Sequence, residues 1–330
     1  LGLVVTFLVM ATVLATLFEL ARLYRSYDYR SLMKTLLGPA WLLFELITIT
    51  MLPLVLAVLA AASGKILQEN LGISYWTGLG IMMSVIALLT FYGRDVVSKV
   101  LTYWSFFLYA VFVTFFAVVI SQGGENISAS FARPEILDGW DVSGFKYAMY
   151  NLTIAPLILY TAHHFSNRKE AVGSGIIAAL LALIPGALFH IAFYAVYPEV
   201  VDQELPVYWM IDKYGMSVLL IFYTAMLFGT FIETGAGILQ GINERIDNYL
   251  VEKRGRAASR NLHALIAVGA ITVSALLSTW GITNIIGQGY GMIAWIYFAI
   301  FVIPLLTLGV WKIVKANGAK GKSFTGTVSS

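Results

Sequence analysis

Two short stretches of this chain put polar side chains where an apolar helix should have none. The first is Tyr150-Asn151-Leu152-Thr153-Ile154-Ala155-Pro156, in the middle of a hydrophobic segment over 143–163. Pro156 has no N–H to donate, so a helix through it leaves the Leu152 carbonyl without its partner. Lipid offers no water in exchange. Asn151 and Thr153 flank that defect with hydrogen-bonding groups of their own. Many secondary transporters build a substrate site on a helix weakened at mid-membrane and flanked by polar groups. Tyr150, Asn151, Thr153, Ala155 and Pro156 are therefore the candidate substrate-binding residues. They fit equally a plain proline kink in which Asn151 bonds a neighbouring helix.

The second stretch holds Thr230, Glu233, Thr234 and Gly237. Their spacing of i, i+3, i+4 and i+7 puts them on one helix face. In a helix over 214–243, Glu233 lies about 29 Å along a length of about 45 Å. A carboxylate at that depth is expensive and points to function, so Thr230, Glu233 and Thr234 are candidate ion-coupling residues. The structural alternative has the threonines bonding back to backbone carbonyls and Glu233 paired with a buried polar group. Gly229, Gly235, Gly237 and Gly241 of the same helix read as points of close helix approach. Glu45, with Thr48 three residues on, lies about a turn inside a span end. The two read as a gate facing Arg168 or another base, or Glu45 as a carboxylate snorkelling to the interface. His190, alone on an apolar helix, reads as a structural hydrogen-bonder before a proton relay.

Elements that hold such residues must be membrane helices. Of the 330 residues 59% are hydrophobic and 12% charged, against about 25% charged in soluble chains. Apolar runs predict nine spans: 1–20, 40–67, 75–92, 96–121, 143–163, 170–196, 214–243, 261–279 and 290–312. Residues 317–330, rich in Gly, Ser and Lys, read as a disordered tail. The connections fall into two alternating sets. Of the 21 lysines and arginines, only Lys65, Arg133, Lys146 and Lys213 lie in the second set. The first set is therefore cytoplasmic, as is the C-terminus, in a plasma or inner membrane. There is no cysteine and no His-Glu-x-x-His, which argues against an enzyme, a metal site or a cofactor. The partners expected are the bilayer and a small-molecule solute, not nucleic acid. The oligomeric state is left open.

The loop rhythm repeats. Segment 1–20, a long connection and a long helix at 40–67 are matched by 170–196, a long connection and a long helix at 214–243, with opposite sidedness. That is the mark of an inverted-topology repeat. The pairing leaves 143–163 without a mate, which would precede residue 1. The chain also opens inside an apolar run with no Met or leader. Both features lead to the expectation of a fragment lacking its first core helix.

A five-plus-five inverted repeat with a broken sixth helix resembles the LeuT-type fold of the amino acid–polyamine–organocation superfamily. The start of the third helix around Trp41–Thr50, the Tyr150-Asn151 break and Gly241-Ile242-Asn243-Glu244-Arg245-Ile246 closing the eighth helix resemble its YkvI-like branch. The resemblance implies an all-α polytopic membrane protein: one transporter domain over 1–316, with the first repeat's remainder in 1–121 and the second in 143–312. It implies an ion-coupled symporter of a small polar solute, an amino acid or related compound, working by alternating access. Hydroxyls on the eighth helix help hold sodium in that fold, and Thr230 and Thr234 match them; Glu233 does not belong to that pattern and suits a proton. Both couplings stay open. The alternative is a non-transporting membrane sensor or accessory protein of the same fold.

Overall fold

The computed structural model describes residues 1–92, 94–132 and 136–316, and among these every regular element is helical. Among the described residues seven helices are long and apolar enough to cross a membrane: Gly2–Tyr24, Tyr29–Leu71, Phe106–Ala132, Arg168–Val196, Ser217–Arg254, Asn261–Ser278 and Ile282–Ala316. This is the make-up of an integral membrane protein. Nine full spans are not recovered among the described residues: the 143–163 segment is broken into two short pieces, while Tyr75–Tyr92 is an apolar helix of 18 residues. The expected tail, 317–330, lies outside the described residues.

The chain divides into two compact units, each gathered from separate stretches of sequence. The first takes Leu1–Thr48, Glu135–Phe189 and Tyr290–Ser330, and the second Ile49–Pro134 and His190–Gly289.

In the first unit, α1 (Gly2–Tyr24) runs on to α2 (Tyr29–Leu37), whose N-terminus is capped by Asp28 accepting from the Ser31 N–H at 2.8 Å. α6 (Trp140–Leu152) packs against α1 with almost no side chain between them. A Cβ on Gly144 would collide with the Gly2 backbone, and Thr6 Oγ1 lies 2.9 Å from the Gly144 carbonyl oxygen. α7 (Arg168–Phe193) opens with a reciprocal cap: Asn167 accepts from the Glu170 N–H, and Glu170 accepts from the Ser166 N–H. A Cβ on Gly175 of α7 would meet the Ala15 backbone of α1. Phe44, Tyr297 and Phe301 fill the core with ring centroids 4.9–5.9 Å apart.

In the second unit, α3 (Trp41–Leu71, which begins in the first) buries Leu56, Ala57, Ala60 and Ile66 completely. α4 (Tyr75–Tyr92), α5 (Arg94–Ala132), α8 (Pro206–Lys213), α9 (Ser217–Arg254) and α10 (Arg260–Ser278) complete it. Two boundaries move from their expected places. α5 continues through the stretch expected to open a loop at 122. α9 continues to Arg254, where Gly255 at φ 68 ends it, so Gly241–Ile246 lies inside that helix and does not close it. Polarity marks where water begins, and a helix does not have to stop there.

Candidate functional site

The first unit holds the break. α6 stops at Leu152, turns through Thr153 and Ile154, and resumes as a 3₁₀ helix, Ala155–His164, with Pro156 in its first turn. The Leu152 carbonyl, orphaned by Pro156, accepts a hydrogen bond from the Tyr297 hydroxyl at 2.7 Å, in a fully buried setting. Asn151 Nδ2 donates to the Tyr147 carbonyl at 2.8 Å, and Thr153 Oγ1 to the Tyr150 carbonyl at 2.6 Å. Both bonds run back along their own helix, not to a neighbour. They leave Asn151 Oδ1 and the Thr153 lone pairs as acceptors. Ala155 and Pro156 are buried and hold the turn.

Tyr150 is different. Its hydroxyl makes no hydrogen bond among the described residues, and its ring meets Tyr290 edge-on, with centroids 5.9 Å apart. One turn earlier on α6 stands Lys146, which charge counting assigns to a connection. It is half-buried inside the helix, with no acidic partner among the described residues. A Cβ on Gly291 would stand 3.9 Å from the Tyr150 hydroxyl and 4.0 Å from Lys146 Nζ. Gly291 opens α12 (Gly291–Tyr297) of the Ile282–Ala316 helix, after α11 (Ile282–Asn284) and a π-helical stretch, Ile285–Tyr290. π-helical turns often accompany functional sites.

The gate residues also lie in the first unit. Glu45 accepts from the Tyr29 hydroxyl of α2 at 3.4 Å, and Thr48 donates to the Phe44 carbonyl at 3.0 Å. Arg168, exposed at the start of α7, makes no ion pair among the described residues, so the Glu45–Arg168 pair is not formed. The sequence reading passes over a buried pair nearby. Glu19, 2% exposed, takes both Arg22 Nε and a terminal Arg22 nitrogen at 2.8 Å. The i, i+3 spacing of two opposite charges was the signal for it.

The second unit holds the α9 residues. Thr230 Oγ1 donates to the Met226 carbonyl at 2.9 Å, as the structural alternative expects. Glu233 and Thr234 make no side-chain hydrogen bond or ion pair among the described residues. The four glycines split into two kinds. A Cβ on Gly229 would run into the Trp104 indole and one on Gly235 into Ile86, so these two are close approaches. Gly237 and Gly241 face open space, which corrects the packing reading for both. The open glycines share the face of Thr230 and Thr234. Trp104 keeps its indole nitrogen buried without an acceptor among the described residues. His190 is exposed and its ring meets Tyr194 edge-on, with centroids 5.1 Å apart.

Elsewhere in this unit, Lys65 of α3 pairs with Glu204 and lies 3.9 Å from Glu69, beside a polar cavity of about 340 Å³ whose lining includes Asn70, Tyr208 and Asp212. Among the described residues no group of three or more His, Asp or Glu is placed to hold a metal. No family model and no curated protein sequence matches the chain.

Proposed function

We propose that this chain is an ion-coupled secondary transporter of a small polar solute, an amino acid or related compound, of LeuT-type architecture and working by alternating access. The observation that carries the reading is the interruption of the α6 segment in an otherwise apolar bundle. Pieces of 13 and 10 residues replace one span, and a helix broken at membrane depth is tolerated only where it is buried in protein or lines a cavity. Transporters place substrates at such breaks. Tyr150, Asn151, Thr153, Ala155 and Pro156 are the substrate element, and Thr230, Glu233 and Thr234 the coupling element.

Two further features support it. The chain forms two compact units interleaved in sequence, and alternating access needs at least two bodies that move as wholes. Glu233 is a carboxylate without a partner among the described residues on an apolar helix, and such groups mark ion or proton pathways. The uneven distribution of Lys and Arg between the two sets of connections supports a cytoplasmic C-terminus.

The test is uptake of an amino acid panel into proteoliposomes under separately imposed proton and sodium gradients. Glu233→Gln is expected to abolish proton-driven uptake while leaving the helical circular dichroism unchanged. Unaltered proton-driven uptake in that variant would remove Glu233 from the coupling role. Uptake driven by sodium alone would move the role to Thr230 and Thr234.

A further inference from the structure

We propose that Lys146, Tyr150 and Tyr290 form a receptor for a carboxylate group, seated over Gly291 in the first unit. The proposal rests on the substrate reading of the α6 break and names the part of the solute that binds there.

Two donors, Lys146 and Tyr150, meet at this place with no protein acceptor among the described residues, and the Tyr290 ring lies beside them. Lys146 and Tyr150 lie one turn apart and share a face of α6. Their polar tips stand 4.0 Å and 3.9 Å from the single point where a Gly291 Cβ would be. Because residue 291 is glycine, no methyl fills that point, and a carboxylate resting against the Gly291 Cα just beyond it comes within reach of both tips. Tyr290 is the neighbour of Gly291 in sequence, and its ring packs edge-on against Tyr150. An ammonium brings three donors and a phenol one each. Charge-assisted bonds of this kind run at about 2.7–2.9 Å, which suits a small anion held between the two tips.

The charge balance favours an anion. Lys146 is half-buried in a segment with few charges, and the acidic residue of its own helix, Asp141, lies in the first turn, five positions earlier. That spacing puts Asp141 on another face. A half-buried ammonium with no counter-ion among the described residues is a cost that a bound carboxylate removes. Snorkelling to the membrane surface would also keep Lys146 hydrated, but it gives no part to the unpaired hydroxyl of Tyr150 or to the space over Gly291.

The full chain in lipid nanodiscs is titrated with propionate, propionamide and propylammonium, and binding is followed by saturation-transfer NMR. Propionate is expected to bind, with the other two at least about tenfold weaker, as the loss of a charged acceptor implies. Lys146→Met is expected to weaken propionate by about tenfold to a hundredfold, and Tyr150→Phe and Tyr290→Phe by severalfold each. Lys146→Arg keeps the charge and should retain binding. Gly291→Ala puts a methyl group at the point between the donors and should weaken propionate without touching any of them, which keeps the test decisive if Lys146→Met fails to fold. The proposal is overturned if folded wild type binds no propionate, or if folded Lys146→Met or Gly291→Ala binds it as wild type does. If propionate binds but no solute is taken up in any gradient, the transport reading fails and the carboxylate receptor stands. If uptake persists unchanged in Lys146→Met, the receptor fails and the transport reading stands.

Discussion

The two candidate helices meet the same problem, polar groups inside an apolar segment, in opposite ways. The α6 segment breaks, and its backbone is repaired from a distance, with Tyr297 serving the Leu152 carbonyl. Its own polar side chains are turned back on the helix. α9 stays continuous from Ser217 to Arg254 and leaves Glu233 without a partner among the described residues. The broken helix has settled its backbone and keeps Lys146 and Tyr150 as donors with no acceptor among the described residues. The unbroken helix needed no backbone repair and keeps a carboxylate and a bare glycine face. A break is therefore not in itself a site. What marks the site is the set of groups left over once the backbone has been satisfied.

Substituting glycines separates the two helices most strongly. Gly144→Val would drive a side chain into the Gly2 backbone, which cannot move without parting α1 from α6. Overpacking of this kind costs about 1–3 kcal/mol, and more where backbone is struck. Gly144→Val is expected to lose the monodisperse folded species on size-exclusion chromatography. Gly237→Val meets open space and should fold. If the Thr230–Thr234 face serves solute or ion passage, the same variant loses uptake. Normal uptake in Gly237→Val would make that face an idle surface and end the parallel between the two helices.

Repair of the break is the next largest effect. Tyr297→Phe leaves the Leu152 carbonyl buried without a donor, at a cost of about 1–3 kcal/mol, read as a lower thermal unfolding midpoint in detergent. Pro156→Ala restores an N–H at the position a continuous helix would use. In that background Tyr297→Phe should cost clearly less. Equal costs in the two backgrounds would mean that Tyr297 does not act through the break.

The break itself was legible: Pro156 names the carbonyl it orphans, and that carbonyl is the one that takes a foreign donor. The donor was not legible, since a tyrosine 145 residues away in an apolar run looks like packing. Lys146 was hidden for a related reason. Charge counting assigns lysines near a span end to a connection, whereas a long aliphatic stem lets the ammonium stand within a helix. Spacing placed Thr230, Glu233 and Thr234 on one face but did not show which glycines touch a neighbour, because that depends on what the facing helix brings. Helix ends were the weakest reading. α5 and α9 run on past the ends of their apolar runs because polar and charged side chains end the membrane, not the hydrogen-bond ladder.

The smallest effect gives the finest distinction within the break. Thr153 spends its hydroxyl proton on the Tyr150 carbonyl, and Asn151 spends an amide proton on Tyr147. What Thr153 Oγ1 and Asn151 Oδ1 still offer is acceptance, whereas Lys146 and Tyr150 offer donation. An ammonium would sit at the first pair and a carboxylate at the second, so a zwitterion would engage both. Thr153→Val keeps the shape and removes one neutral acceptor, at about 0.5–1.5 kcal/mol. It is expected to weaken alanine by about two- to tenfold while leaving propionate unchanged in the same nanodisc titration. Equal weakening of both probes would mean that Thr153 merely holds the turn, and the substrate element would shrink to the donors around Gly291.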